Sequence, residues 1–98
     1  MKQDLPKILQ ERREEILQLA CLHGALNVRV FGSVVRGDNH DGSDIDFLID
    51  LAEQTSPWFP MSFIQDLEQV LHCKVDVVTA QSLKPRLRDS ILQEAKPL

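Results

Sequence analysis

Apolar positions recur with a helical period at the start of the chain. Leu5, Ile8, Leu9, Ile16 and Ala20 share one side, with Asp4 as cap, Pro6 in the first turn and Gly24 as the stop. Val28, Val30 and Phe31 then read as a short strand broken by Gly32-Ser33, and Val34, Val35 and Arg36 fit a short helix ended by Gly37. From Asp44 the period becomes two: Ile45, Phe47 and Ile49 face the core, opposite Asp44, Asp46, Leu48 and Asp50. Ser56-Pro57 opens a second long helix whose buried stripe is Phe63, Ile64, Leu67, Val70 and Leu71. Lys74 to Thr79 is a β-branched strand, and a final helix carries Leu83, Leu87, Ile91 and Ala95 on one side. This order predicts an α/β (α+β) fold, a small mixed β-sheet flanked by helices.

The same patterning isolates the candidate chemistry. Asp44 and Asp46 share one face of one strand, with Cα atoms roughly 7 Å apart. Two bare carboxylates about 4 Å apart repel by about 4 kcal/mol at an effective dielectric of about 20. A cation or a proton relieves that repulsion. Mg²⁺ suits the pair because it takes one or two carboxylates, keeps waters and accepts phosphate oxygens. Upstream, Gly32-Ser33 before a helix start offers backbone N–H groups to phosphate, Ser33 adds a hydroxyl, and Arg36 brings positive charge.

Asp76 is the lone acid in a valine strand, costly if buried and unpaired. It is explained if its strand lies beside that of Asp44 and Asp46, giving a three-carboxylate cluster for one or two metal ions. A lone Gly-Ser is usually a turn and a lone Asp-x-Asp usually a solvated edge; the joint pattern outweighs both. Asp50 reads as a turn acid, and Asp38 and Asp41 as solvated loop acids.

The tract Gly32-Ser33-Val34-Val35-Arg36-Gly37 through Ser43-Asp44-Ile45-Asp46 resembles the first motif of the nucleotidyltransferase superfamily, which includes DNA polymerase beta and aminoglycoside nucleotidyltransferases. It is most similar to the minimal nucleotidyltransferases, or MNT proteins. Val75-Asp76-Val77-Val78-Thr79 resembles their third-acid strand, and Leu83 to Ala95 their last helix. The resemblance implies a nucleotidyltransferase fold, Mg²⁺ on Asp44, Asp46 and Asp76, and the triphosphate of ATP at Gly32 and Ser33. It also implies a partner: many MNT proteins are antitoxins of HEPN-domain ribonuclease toxins and transfer AMP to a toxin tyrosine.

Composition narrows the alternatives. The 98 residues suit one domain, 1–98, with a modest core. Eleven basic against fifteen acidic residues give a formal charge of −4, which disfavours tracking a long nucleic acid but not binding one nucleotide through a metal. Cys21 and Cys73 are too far apart for a Cys-x-x-Cys motif and read as reduced core thiols. The N-terminus lacks an apolar signal core and no segment is apolar enough to span a membrane, so a cytoplasmic location is expected.

His23, His40 and His72 lack ligand-like spacing and read as structural, and no Ser-His-Asp or Cys-His grouping is visible. Arg12 to Glu15, and Lys84, Arg86 and Arg88, read as solvated faces, although the last three could meet an acceptor. Trp58, Phe59, Pro60 and Met61 crowd a helix entrance, either as core or as a patch for adenine or a partner protein.

The reading is thus a Mg²⁺-dependent enzyme moving AMP from ATP onto a partner, in a chain too short for its own acceptor domain. The rival from another class is a non-catalytic module that neutralises the toxin by covering it. A third reading keeps the enzyme but makes the acceptor RNA or a small molecule.

Overall fold

The sheet is organised around its most apolar strand. In the computed structural model, which describes residues 5–38 and 44–98, β2 (Ile45–Leu51) lies between β1 (Ala25–Phe31) and β3 (Val75–Thr79). Ile45, Phe47, Leu48 and Ile49 are fully buried. Each buried side chain of this size contributes about 1.5–3 kcal/mol, so β2 fixes the register of both neighbours. Leu48 was expected on the open face with the acids. It is instead covered, so the face that carries the acids is interrupted between Asp46 and Asp50.

β1 runs antiparallel to β2, and β3 runs parallel to it. A parallel neighbour needs a crossover, supplied by α4 (Met61–Leu71), whose Phe63, Leu67 and Leu71 are buried and whose Ile64 and Val70 are partly so. A short β4 (Lys96–Pro97) pairs with β1 at Arg29 and Val30, completing the order β3-β2-β1-β4. This strand has no apolar alternation to announce it.

β1 carries a bulge. Ala25, Val28 and Val30 all face the core, which strict alternation forbids. The register shifts between Leu26 and Arg29, where Asn27 adopts φ 51° and restores the parity. Asn tolerates this conformation better than most residues.

The first predicted helix is a pair, α1 (Leu5–Glu11) and α2 (Arg13–His23). Arg12, at φ −103° and ψ 12°, leaves helical geometry, yet hydrogen bonds continue from Arg12 N to Ile8 O and from Ile16 N to Arg12 O. Asp4, the expected cap, lies outside the described residues, as do His40, Asp41 and Ser43. Gly24 ends α2 as expected, and a Cβ there would lie 2.4 Å from Gln54 O.

Ser56-Pro57 does not open α4. Residues 57–60 form turns, and the helix begins at Met61. Phe59 stacks on Phe63 at 6.2 Å, whereas Trp58 is 86% exposed and Met61 57%. The crowded entrance therefore divides into one packed ring and two exposed apolar side chains. The closing helix α5 (Pro85–Glu94) follows a 3₁₀ turn, Ala80–Ser82, and none of its residues is fully buried. Its expected apolar side is only half-covered, with Leu87 50% exposed. Cys21 and Cys73 are unpaired, but Cys21 is exposed rather than in the core.

Candidate active site

Phe31, the last residue of β1, is the register partner of Asp46. The chain that leaves β1 must therefore turn beside that aspartate. Gly32 makes the turn at φ 81° and ψ −153°, and a Cβ on it would lie 2.3 Å from Asp46 Oδ2. Only glycine lets the backbone come this close to the carboxylate. The chain then enters α3 (Ser33–Arg36), closed by Gly37 in the left-handed region.

The third acid arrives through the parallel ladder. Asp46 and Asp76 are Cα partners across β2 and β3, so they stand on the same face of adjacent strands. Asp44 comes immediately before β2 and is exposed. Asp76 is exposed as well, and its Oδ1 accepts from Val77 N at 3.0 Å. Among the described residues, no three acid, histidine or cysteine side chains sit closely enough to form a ready-made metal cage.

The electrostatics of Asp46 nevertheless reflect its acidic neighbours. Partial burial, then the charges of Asp76 and Asp44, push its carboxyl above the usual carboxylate range, against the pull of Arg36. An all-carboxylate set without thiol or imidazole fits a hard divalent cation such as Mg²⁺. The same charges that repel one another would be relieved by that ion.

Arg36, read as a phosphate partner, is held by acids in this structure. Its Nη1 donates to Glu94 Oε1 at 2.8 Å and its Nε to Asp38 Oδ2 at 3.3 Å. The other Glu94 oxygen, Oε2, accepts from Gly32 N at 2.9 Å. These two contacts hold the Glu94 carboxyl below its usual range. Sequence reading did not single out Glu94, which lies 62 residues from Gly32. One signal was available: an acid in the last turn of a helix opposes the helix dipole, which suggests a compensating partner elsewhere.

Asp50, expected in a turn, lies instead within β2, where it is bound to Arg29 at 3.0 Å and Asn27 at 3.1 Å and takes no part in the acid site. Arg88 is not a freely solvated cation, because its Nε donates to Ala80 O at 3.0 Å and ties α5 to the preceding turn.

A second polar cluster lies at the opposite end of the sheet. His23 is 6% exposed; its Nδ1 pairs with Ser56 Oγ and its Nε2 with Asp66 Oδ2 at 2.7 Å. The sequence showed no Ser-His-Asp grouping because these residues are 33 and 43 positions from His23. Ser56 N donates to His23 O at 2.9 Å, so this backbone donor is already used by the fold. The trio joins α2, α4 and the loop between β2 and α4. An apolar groove of about 490 Å³, lined by Leu9, Val34, Val35 and Leu98 among others, contains none of the candidate acids.

A model of the nucleotidyltransferase domain family matches residues 6–98. The chain belongs to that family. It is 36% identical over 87 residues to MJ0435 of Methanocaldococcus jannaschii, provisionally called a protein adenylyltransferase, covering 89% of this chain and 94% of that protein. It is 32% identical over 92 residues to the protein adenylyltransferase MntA of Thermococcus cleftensis, covering 94% and 90%. A solved structure provisionally called a minimal nucleotidyltransferase superposes with a TM-score of 0.83 at 42% identity, over 94% of each chain.

More distant chains share the fold alone. One comes from a toxin–antitoxin structure with AMP-PNP, at TM-score 0.70 and 24% identity over 86% of this chain and 69% of that one. Another comes from the Shewanella oneidensis complex of a tri-AMPylated HEPN toxin with its MNT antitoxin, at TM-score 0.64 and 21% identity over 90% and 69%. The mixed sheet and the enzyme class expected from the sequence therefore stand: this nucleotidyltransferase has the fold of its minimal relatives. Among its described residues, no helix is long and apolar enough to cross a membrane.

Proposed function

We propose that this nucleotidyltransferase transfers AMP from ATP to a tyrosine hydroxyl of a HEPN ribonuclease toxin, and so acts as its antitoxin. The observation that carries the reading is the seating of the Asp46 carboxylate against Gly32, with Asp76 at the same register of the next strand. The kinship to MntA over 94% of this chain directs the chemistry towards a protein acceptor. The AMPylated HEPN toxin beside an MNT chain of the same fold supports a HEPN partner as acceptor, and the tyrosine follows from the resemblance to the MNT antitoxins.

Asp44, Asp46 and Asp76 are assigned to hold Mg²⁺, and Gly32, Ser33 and Arg36 to hold the triphosphate. Mg²⁺, when bound, supplies charge neutralisation on the phosphates during in-line displacement. The protein orients the rest. The Gly32 backbone approaches closely, the Ser33 hydroxyl donates, and Arg36 brings positive charge to the phosphate oxygens. The tyrosine oxygen forms a bond to the α-phosphorus as the bond to the bridging oxygen breaks, and pyrophosphate leaves. The phenolic proton passes to Asp76, whose Oδ2 is not engaged by Val77 N.

An AMP-tyrosine replaces a neutral phenol by a bulky anion, which repels RNA phosphates and blocks a ribonuclease site, much as phosphorylation would. The test is to incubate the chain with a HEPN toxin and ATP-Mg²⁺, separate the two under denaturing conditions, refold the toxin and assay it. Persistent inhibition with added AMP mass, absent for Asp44→Asn, is the expected result. An unmodified toxin with full activity would instead favour neutralisation by covering.

A further inference from the structure

The Glu94 carboxylate sits where the proposed function needs an anion. Gly32 N and Arg36 Nη1 form a two-point seat, and Glu94 fills it with one oxygen each, at 2.9 and 2.8 Å. A phosphate group presents two oxygens in much the same way and carries more charge. Resting on the proposed triphosphate site, we propose that Glu94 is an internal phosphate mimic that ATP must displace, so that nucleotide binding releases the end of α5.

The surroundings suit a contact made to be broken. α5 has no fully buried residue, and Leu87 and Leu92 are 50% and 40% exposed. Its N-terminal end is tied by Arg88 to Ala80 O and Leu83 O, and its last turn by Glu94, two residues before the chain is anchored again by β4 on β1. Elements held by few buried apolar contacts open at low free-energy cost. The alternative role, a carboxylate that merely orients Arg36 for phosphate, predicts the reverse dependence of affinity on Glu94.

Calorimetry with Mg²⁺-AMP-PNP on the full chain and on Glu94→Gln separates the two. Displacement predicts about tenfold tighter binding for the variant, because a neutral amide competes less well for Arg36 and Gly32 N. In the wild type, hydrogen–deuterium exchange of the last turn of α5 should quicken when nucleotide is added. Unchanged or weaker binding in a folded variant would overturn the mimic, and so would nucleotide-induced protection of that turn. If the variant does not fold, the wild-type exchange decides. Nucleotide binding to the wild type without any of these Glu94 effects defeats only the mimic. No binding to wild type or variant defeats the triphosphate site itself and the mimic with it.

Discussion

Where β2 runs out to Leu51, polar groups and backbone are paired. Ala52 N donates to Gly24 O and Ser56 N to His23 O, both at 2.9 Å, and the His23 ring is matched on both nitrogens. Where β2 begins, the opposite holds: three acids share a neighbourhood, one has its carboxyl pushed up by burial and like charge, and glycine is squeezed against it. One strand thus joins a satisfied end to an end that stores electrostatic repulsion. Carboxyls perturbed by burial and like charge in this way mark a candidate functional site. The contrast assigns stability to one end and chemistry to the other, and each assignment can be tested.

The largest effects belong to the acids. Asp44→Asn and Asp46→Asn should each lower AMP transfer at least about 100-fold, the upper end of what even outer-shell partners of a metal cost. Single-turnover assays at saturating Mg²⁺ provide the measurement, and near-wild-type turnover would remove these residues from the site. Gly32→Ala comes next, because its Cβ would meet Asp46 Oδ2 at 2.3 Å and its φ of 81° strains any side chain. A loss of about 1–3 kcal/mol in denaturant unfolding is expected, with activity falling too.

At the other end, His23→Ala should cost up to about 3 kcal/mol by removing both polar contacts and buried ring packing against Phe63, 5.4 Å away. Its turnover per folded molecule should stay near wild type. A large turnover defect in fully folded protein would break the division between the ends.

The comparison also predicts a stabilising mutation. In chelator-treated protein, Asp46→Asn should raise the melting temperature by a few degrees, since it deletes a partly buried charge repelled by Asp76 and Asp44. An unchanged or lower melting temperature would mean that the acids do not burden the metal-free fold.

Legibility in sequence followed the range of each interaction. The Asp-x-Asp face, the Gly32 break and the neighbouring Asp76 strand were readable because period-two alternation and turn chemistry are local, and because one acid among valines demands an explanation. The break at Arg12, the Asn27 bulge and β4 were not, since each depends on how the rest of the sheet settles. Ser56, His23 and Asp66, like Glu94 and Gly32, are joined only by tertiary folding. Their residue types gave no spacing to read. α5 formed as its spacing predicted, but its exposure was not legible for a related reason: helical apolar spacing predicts an amphipathic face, not whether another element covers it.

The smallest effect concerns acid stability at the Gly32 turn. Glu94 has a carboxyl held below its ordinary value of 4.5 by Arg36 and Gly32 N. A depressed acid binds its proton more readily when unfolded, so its stabilisation is fully present above the unfolded value and disappears as pH falls through the folded one. Asp46 has the opposite sign, because its raised carboxyl is relieved by protonation. Wild-type stability on acidification is therefore a difference between the two. Glu94→Gln removes the first contribution, together with the smallest part of the second, the part due to the charge of Glu94 itself. Melting temperatures measured from about pH 7 to about pH 3 should show the wild type losing its margin over Glu94→Gln towards the acid end, by a degree or two. A margin that stays constant across that range would show that Glu94 is bound through its shape rather than its charge.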